Sequence, residues 1–97
     1  MITQEMTYKV AKEHGFQDYF DNPLYVPTKL ALIMSECAEA LEWHRMGKSE
    51  ELPHELADIV IRTMDLAESL GIDLQKAIEI KHEFNKHRDI RHGNKLY

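Results

Sequence analysis

The sequence predicts an all-α protein, a four-helix bundle with residues 1–97 forming one domain. Four segments carry apolar residues at helical spacing, glycine or proline punctuates each gap between them, and no segment has the alternating β-branched pattern of a strand.

The first helix is expected from Thr3, a side chain suited to an N-cap, to His14, with Gly15 as the stop. Phe16 to Val26 then reads as a loop, because it contains Asn22-Pro23 and carries Phe16, Tyr19, Phe20 and Tyr25 without helical periodicity. The second helix is expected from Pro27 to Met46, ended by Gly47, with Leu30, Ile33, Met34, Cys37 and Leu41 as its core stripe. The third begins near Pro53, which suits a first helical turn, and ends at Gly71; its stripe is Leu56, Val60, Thr63, Ala67 and Leu70. Asp73 caps the fourth, whose apolar positions are Leu74, Ala77, Ile78 and Phe84, and His92-Gly93-Asn94 closes it. Short connections between the last three helices predict antiparallel neighbours.

A 97-residue chain buries only about two-thirds of the surface it exposes when unfolded, so a second subunit is expected to cover part of its apolar surface. The net charge of −5 argues against a general binder of nucleic-acid polymers, whose affinity rests on Lys and Arg. That charge is uneven: residues 1–80 hold 15 acids against 7 Lys and Arg, whereas residues 81–97 hold 2 against 5. Cys37 is the only cysteine, which excludes an internal disulfide and suits a reducing compartment. Without an apolar leader at Met1 to Lys12 or a membrane-length apolar run, the expected location is the cytoplasm.

The chemistry is concentrated in two acidic pairs. Glu36 and Glu39, and again Glu55 and Asp58, are spaced i, i+3, so each pair projects from one helix face beside the apolar stripe. Carboxylates gathered at a helix interface repel unless a cation lies among them, and magnesium, a hard ion shared between carboxylates and phosphates, suits that donor set. The competing reading is a set of solvated surface charges. On the fourth helix, Lys81, Asn85 and Arg88 follow i, i+4, i+7 and share a face that offers a point charge, a neutral amide and a bidentate fork to a triphosphate. The plainer alternative there is a solvated helix end whose cations suit the C-terminal dipole.

Three stretches in order then resemble one family. Ser35-Glu36-Cys37-Ala38-Glu39-Ala40-Leu41-Glu42, then Glu55-Leu56-Ala57-Asp58-Ile59-Val60-Ile61-Arg62, then Lys81-x3-Asn85-x2-Arg88-x3-His92-Gly93-x-Lys95 resemble the signature of the MazG-like all-α nucleoside triphosphate pyrophosphohydrolases. The resemblance spans Thr28 to Lys95; Ser35 stands where many members carry Glu, and Asn94 where the tail usually has a second glycine. It implies a bundle assembled as a homodimer or homotetramer that hydrolyses the α–β phosphoanhydride of a nucleoside triphosphate with Mg2+ or Mn2+. It also implies that Glu36, Glu39, Glu55 and Asp58 hold metal and activate water, and that Lys81, Asn85 and Arg88 contact the triphosphate.

Other residues have two readings. Trp43, one turn beyond Glu39, suits stacking on a nucleobase or packing between subunits, and the aromatic loop suits a base pocket or a clamp on the bundle. His54-Glu55-Leu56-Ala57-Asp58 lacks the second histidine of an HExxH zinc site. A di-iron bundle needs two Glu-x-x-His elements, and the chain has one, Glu79 to His82. His14, His44, His82 and His87 are expected to be exposed, and Cys37 to be inert packing. The non-catalytic alternative is a helical module on the same scaffold that binds nucleotides or a protein partner.

Overall fold

The computed structural model describes residues 1–14 and 22–88. Among them it contains four α-helices, a single 3-10 turn and no strand: α1 (Gln4–Glu13), α2 (Tyr25–Arg45), α3 (Leu52–Ser69) and α4 (Leu74–Lys86), with the 3-10 turn at Ser49–Glu51 leading into α3. None of these helices is long and apolar enough to cross a membrane.

The helix ends follow local chemistry. Thr3 Oγ1 accepts from Met6 N at 3.2 Å and Asp73 Oδ1 from Lys76 N at 3.1 Å, so two otherwise orphaned N–H groups are capped as the side chains dictate. Gly47 and Gly71 adopt φ of 75° and 70°. Each closes its helix with paired reverse bonds: Lys48 N to Trp43 O and Gly47 N to His44 O after α2, Ile72 N to Ala67 O and Gly71 N to Glu68 O after α3. α2 starts at Tyr25 instead of Pro27, because Asn22 Oδ1 accepts from Leu24 N at 2.8 Å and turns the chain early. Pro27 then lies in the first turn, where its missing N–H has no intrahelical partner to lose. Of the aromatic loop, Tyr25 is thus helical and buried, while Phe16, Tyr19 and Phe20 lie outside the described residues, as does His92-Gly93-Asn94.

Three contacts set the direction of α2 against α3: Trp43 meets Glu55, Glu36 meets Arg62, and Tyr25 neighbours Ser69. Later positions on one helix meet earlier positions on the other, so the pair is antiparallel. α1 is antiparallel to α3 as well, since Gln4 Nε2 donates to Glu68 Oε1 at 2.7 Å and to Ile72 O at 2.6 Å, while Gln4 Oε1 accepts from Leu74 N at 3.0 Å.

The face that α2 turns toward the other helices is not the expected stripe. Tyr25, Lys29, Leu32, Glu36, Ala40 and Trp43, at spacings of four and three, are buried or half-buried, whereas Leu30, Met34, Cys37 and Leu41 are exposed and only Ile33 of the expected set is half-buried. Cys37 is therefore not core packing. On α3 the inward positions are Leu52, Glu55, Ile59, Arg62, Thr63, Leu66 and Ser69; Ala67 is buried as expected, but Leu56, Val60 and Leu70 are exposed. Among the described residues the buried apolar side chains are Tyr25, Leu66 and Ala67, accompanied by buried Thr7 and Asp65. The fourth helix departs furthest from a closed bundle. It packs lightly on α3, and from Gln75 onward every residue of α4 is exposed, including Ala77, Ile78 and Phe84 of its expected stripe.

Candidate functional site

Because the inward faces of α2 and α3 carry Glu36 and Glu55, packing these helices forces two carboxylates together, and Glu39 joins them from one turn along α2. Glu36, Glu39 and Glu55 each present an oxygen within 4.8 Å of the others. Glu36 and Glu55 are half-buried and Glu39 is exposed, so the group opens to solvent on one side. Asp58 is not part of this convergence; it is exposed and lines a separate cavity against α1.

The partners of the three acids are uneven. Glu36 Oε1 accepts from Arg62 Nε at 3.0 Å, with the Glu36 side chain only 12% exposed. Glu55 Oε1 accepts from the indole N–H of Trp43 at 3.2 Å. Glu55 Oε2 is buried with no hydrogen-bond partner. A buried acceptor without a donor is costly, and beside two further carboxylates it attracts either a proton or a cation. The proton's side of that balance is visible in Glu55 itself: its carboxyl is held above the ordinary glutamate value, chiefly by burial, then by the Glu36 carboxyl at hydrogen-bond range and the charges of Glu39 and Glu36, with the Trp43 N–H pulling the other way. The donor set is all oxygen, the coordination preference of magnesium or manganese, so these residues fit such an ion.

Trp43 is half-buried, with its N–H on Glu55 and Lys48 Nζ 5.5 Å from its ring centre. The ring thus supports the carboxylate group. Arg62, through its Nε, holds the Glu36 carboxylate of the facing helix in place. Their signal in the sequence is positional: Trp43 lies seven residues beyond Glu36 and Arg62 seven beyond Glu55, one inward stripe on each helix.

Lys81 and Asn85 share a face of α4, but the helix ends at Lys86 instead of near His92, so Arg88, expected on the same face, lies past its C-cap His87. Lys81 Nζ lies 4.6 Å and the Arg88 guanidinium 6.0 Å from the Phe84 ring centre, and Arg88 Nη1 donates to Asn85 Oδ1 at 3.4 Å. All are exposed, and among the described residues no ion pair joins them to Glu36, Glu39 or Glu55. His14, His44, His82 and His87 are exposed as expected.

Asp65 and Lys29 are features that sequence reasoning missed. Asp65 is 7% exposed and lines the α1 cavity with Lys29 and Arg62. Burial lowers the Lys29 ammonium below its ordinary value, the charge of Asp65 opposes that shift, and the charge of Arg62 adds to it. Asp65 follows Arg62 by three residues, one turn along the inward stripe of α3. No family model, curated protein or solved structure matches the chain in comparisons with known proteins.

Proposed function

We propose that the chain is a metal-dependent nucleoside triphosphate pyrophosphohydrolase, yielding nucleoside monophosphate and pyrophosphate, and that it works as a homodimer or homotetramer. The observation that carries this reading is the convergence of Glu36, Glu39 and Glu55 around a buried, unpartnered Glu55 oxygen. The motif resemblance supplies the reaction class; Asp58 completes the acidic set in that resemblance, although it lies outside the three-residue cluster.

In this reading Glu36, Glu39 and Glu55 would hold Mg2+ or Mn2+, which would supply charge neutralisation at phosphate oxygens and a more acidic water for attack. Arg62 and Trp43 fix the carboxylates, so the acids are set before substrate arrives. Glu39, the exposed member, is the acid placed to orient an attacking water, because it has no neighbouring cation in the described contacts and faces solvent. Lys81, Asn85 and Arg88 bind the triphosphate oxygens; in the described contacts none of them pairs with Glu36, Glu39 or Glu55, which favours a site assembled with a second subunit. The assembly itself is supported by the exposed Leu30, Met34, Leu41, Leu56 and Val60 on α2 and α3, and Ile78 and Phe84 on α4. Complete burial of such a side chain from water is worth about 1.5–3 kcal/mol, and these residues, roughly half to two-thirds exposed, stand to gain a corresponding part of it.

The test is pyrophosphate release from a panel of ribo-, deoxy- and oxidised nucleoside triphosphates with magnesium, comparing the wild type with Glu39→Gln. Metal-dependent release that falls by orders of magnitude in the variant is the expected result. Tight nucleotide binding without release from any of them would replace the enzyme with a non-catalytic nucleotide-binding module, a reading that the exposed cationic face of α4 favours.

A further inference from the structure

Arg62 brings a positive charge into direct contact with the acidic group. Its Nε donates to Glu36 Oε1 at 3.0 Å, and with the Arg62 side chain 36% and the Glu36 side chain 12% exposed, water screens the pair only in part. Glu36 is also one of the acids whose oxygens lie within 4.8 Å of one another, together with Glu39 and Glu55. The guanidinium is therefore attached to a carboxylate that an ion among these acids would share. It keeps its charge throughout the working pH range, so the protein carries this cation whether or not a metal is present.

Two effects of opposite sign follow for an incoming ion. By bonding Glu36, Arg62 holds that carboxylate beside its neighbours and relieves part of their repulsion, which helps to keep a site assembled. By its charge, and by engaging one Glu36 oxygen, it opposes a divalent cation at the same place. The first effect has substitutes. Glu36 is one turn from Glu39 on α2 and faces α3, so the packed helix pair already places it near Glu55 without Arg62. The second has none, because no packing contact removes the repulsion between two cations.

We propose that Arg62 is an internal counter-ion that competes with the metal, holding the acids together in the metal-free protein and weakening their hold on a free divalent ion. The inference rests on the reading of Glu36, Glu39 and Glu55 as metal ligands. Its consequence is a coupling between metal and substrate. Phosphate charges attract the same guanidinium that repels the ion, so an ion that arrives on a triphosphate meets less opposition than a free one.

The test adds Mn2+ alone to the nucleotide-free protein and follows the free ion by its electron paramagnetic resonance signal, in wild type, Arg62→Gln, Arg62→Met and Arg62→Lys. Gln removes the charge but keeps an N–H donor for Glu36, Met removes both, and Lys keeps the charge. Competition predicts that Gln and Met bind Mn2+ roughly tenfold or more tightly than wild type, with Lys close to wild type. A purely positioning role predicts the reverse order, with Met the weakest. Melting temperatures give a second sign: without metal, Arg62→Gln should melt below wild type because its acids have lost their counter-ion, and saturating Mn2+ should close or reverse that gap. Charge-removing variants that fold by circular dichroism and bind Mn2+ no more tightly than wild type overturn the competition and leave the metal reading standing. Failure of wild type and of every folded variant to bind Mn2+ defeats the metal reading itself.

Discussion

Glu55 concentrates the electrostatic tension of the molecule in one side chain. One of its oxygens is held by Trp43 and the other is buried without a donor beside Glu36 and Glu39. Its carboxyl is held above the ordinary value in the fold, so the folded chain binds a proton more tightly there than the unfolded chain does. Stability from this group is accordingly greatest at low pH; it declines as pH rises from the ordinary carboxylate value through the raised one, and stays low above it. Chemical denaturation of the metal-free protein across that window should show this loss in the wild type, and Glu55→Gln should flatten its share of the slope. Above the window, magnesium should raise the melting temperature of the wild type and not of Glu55→Gln. A parallel slope in both proteins would place the tension elsewhere.

At the same scale, the sequence made the types of the site residues legible but not all of their neighbours. Glu36 and Glu39 lie together because i, i+3 geometry is local and locality survives folding, whereas Glu55 joins them only through the packing of α3 on α2. The Arg62 and Trp43 contacts cross between helices and depend on the antiparallel register, which no spacing within one helix encodes. Asp58 shows the same limit from the other side. Its distance along α3 from Glu55 is fixed, yet the cavity it lines is made by α1.

Among elements, ends were more legible than faces. Thr3 and Asp73 cap as their chemistry requires, and Gly47 and Gly71 take the positive φ that a reverse-bonded helix end needs. Faces were harder because α2 is apolar on more than one side: Leu32 packs inward while Leu30, Met34 and Leu41 face out. Periodicity finds an apolar stripe but does not say whether the chain itself or a second chain covers it. At Gly71 an added Cβ would meet no atom within 4 Å, so Gly71→Ala isolates the backbone cost of left-handed geometry. That cost is about 1–2 kcal/mol, measurable as a lower denaturation midpoint with an unchanged denaturant slope. A stability equal to wild type would mean that the turn relaxes at no cost.

On the scale of the whole molecule, α1, α2 and α3 form the packed body and α4 extends from it with its apolar and cationic side chains in water. The proposed assembly makes a direct prediction there. Met34 and Leu41 make no demand on the packing of a single chain, being exposed, so the double variant Met34→Glu with Leu41→Glu should keep its helical content while light scattering reports a monomer. If the α4 cations serve a neighbouring subunit's acids, that monomer should also lose metal-dependent hydrolysis. A wild type already monomeric at working concentration would remove the assembly proposal.

The three hydrogen bonds of Gln4 give this architecture an order in time. They join residues 64 to 70 positions apart, tying the first turn of α1 to the end of α3 and the start of α4. The α2–α3 pair closes over a much shorter loop, so it can form early, whereas docking of α1 carries a larger closure entropy and follows late. Removing a late contact accelerates unfolding more than it slows folding. Stopped-flow traces of Gln4→Ala should therefore show a faster unfolding limb with a nearly unchanged refolding limb, making this amide a kinetic bolt on the elbow that aims the fourth helix.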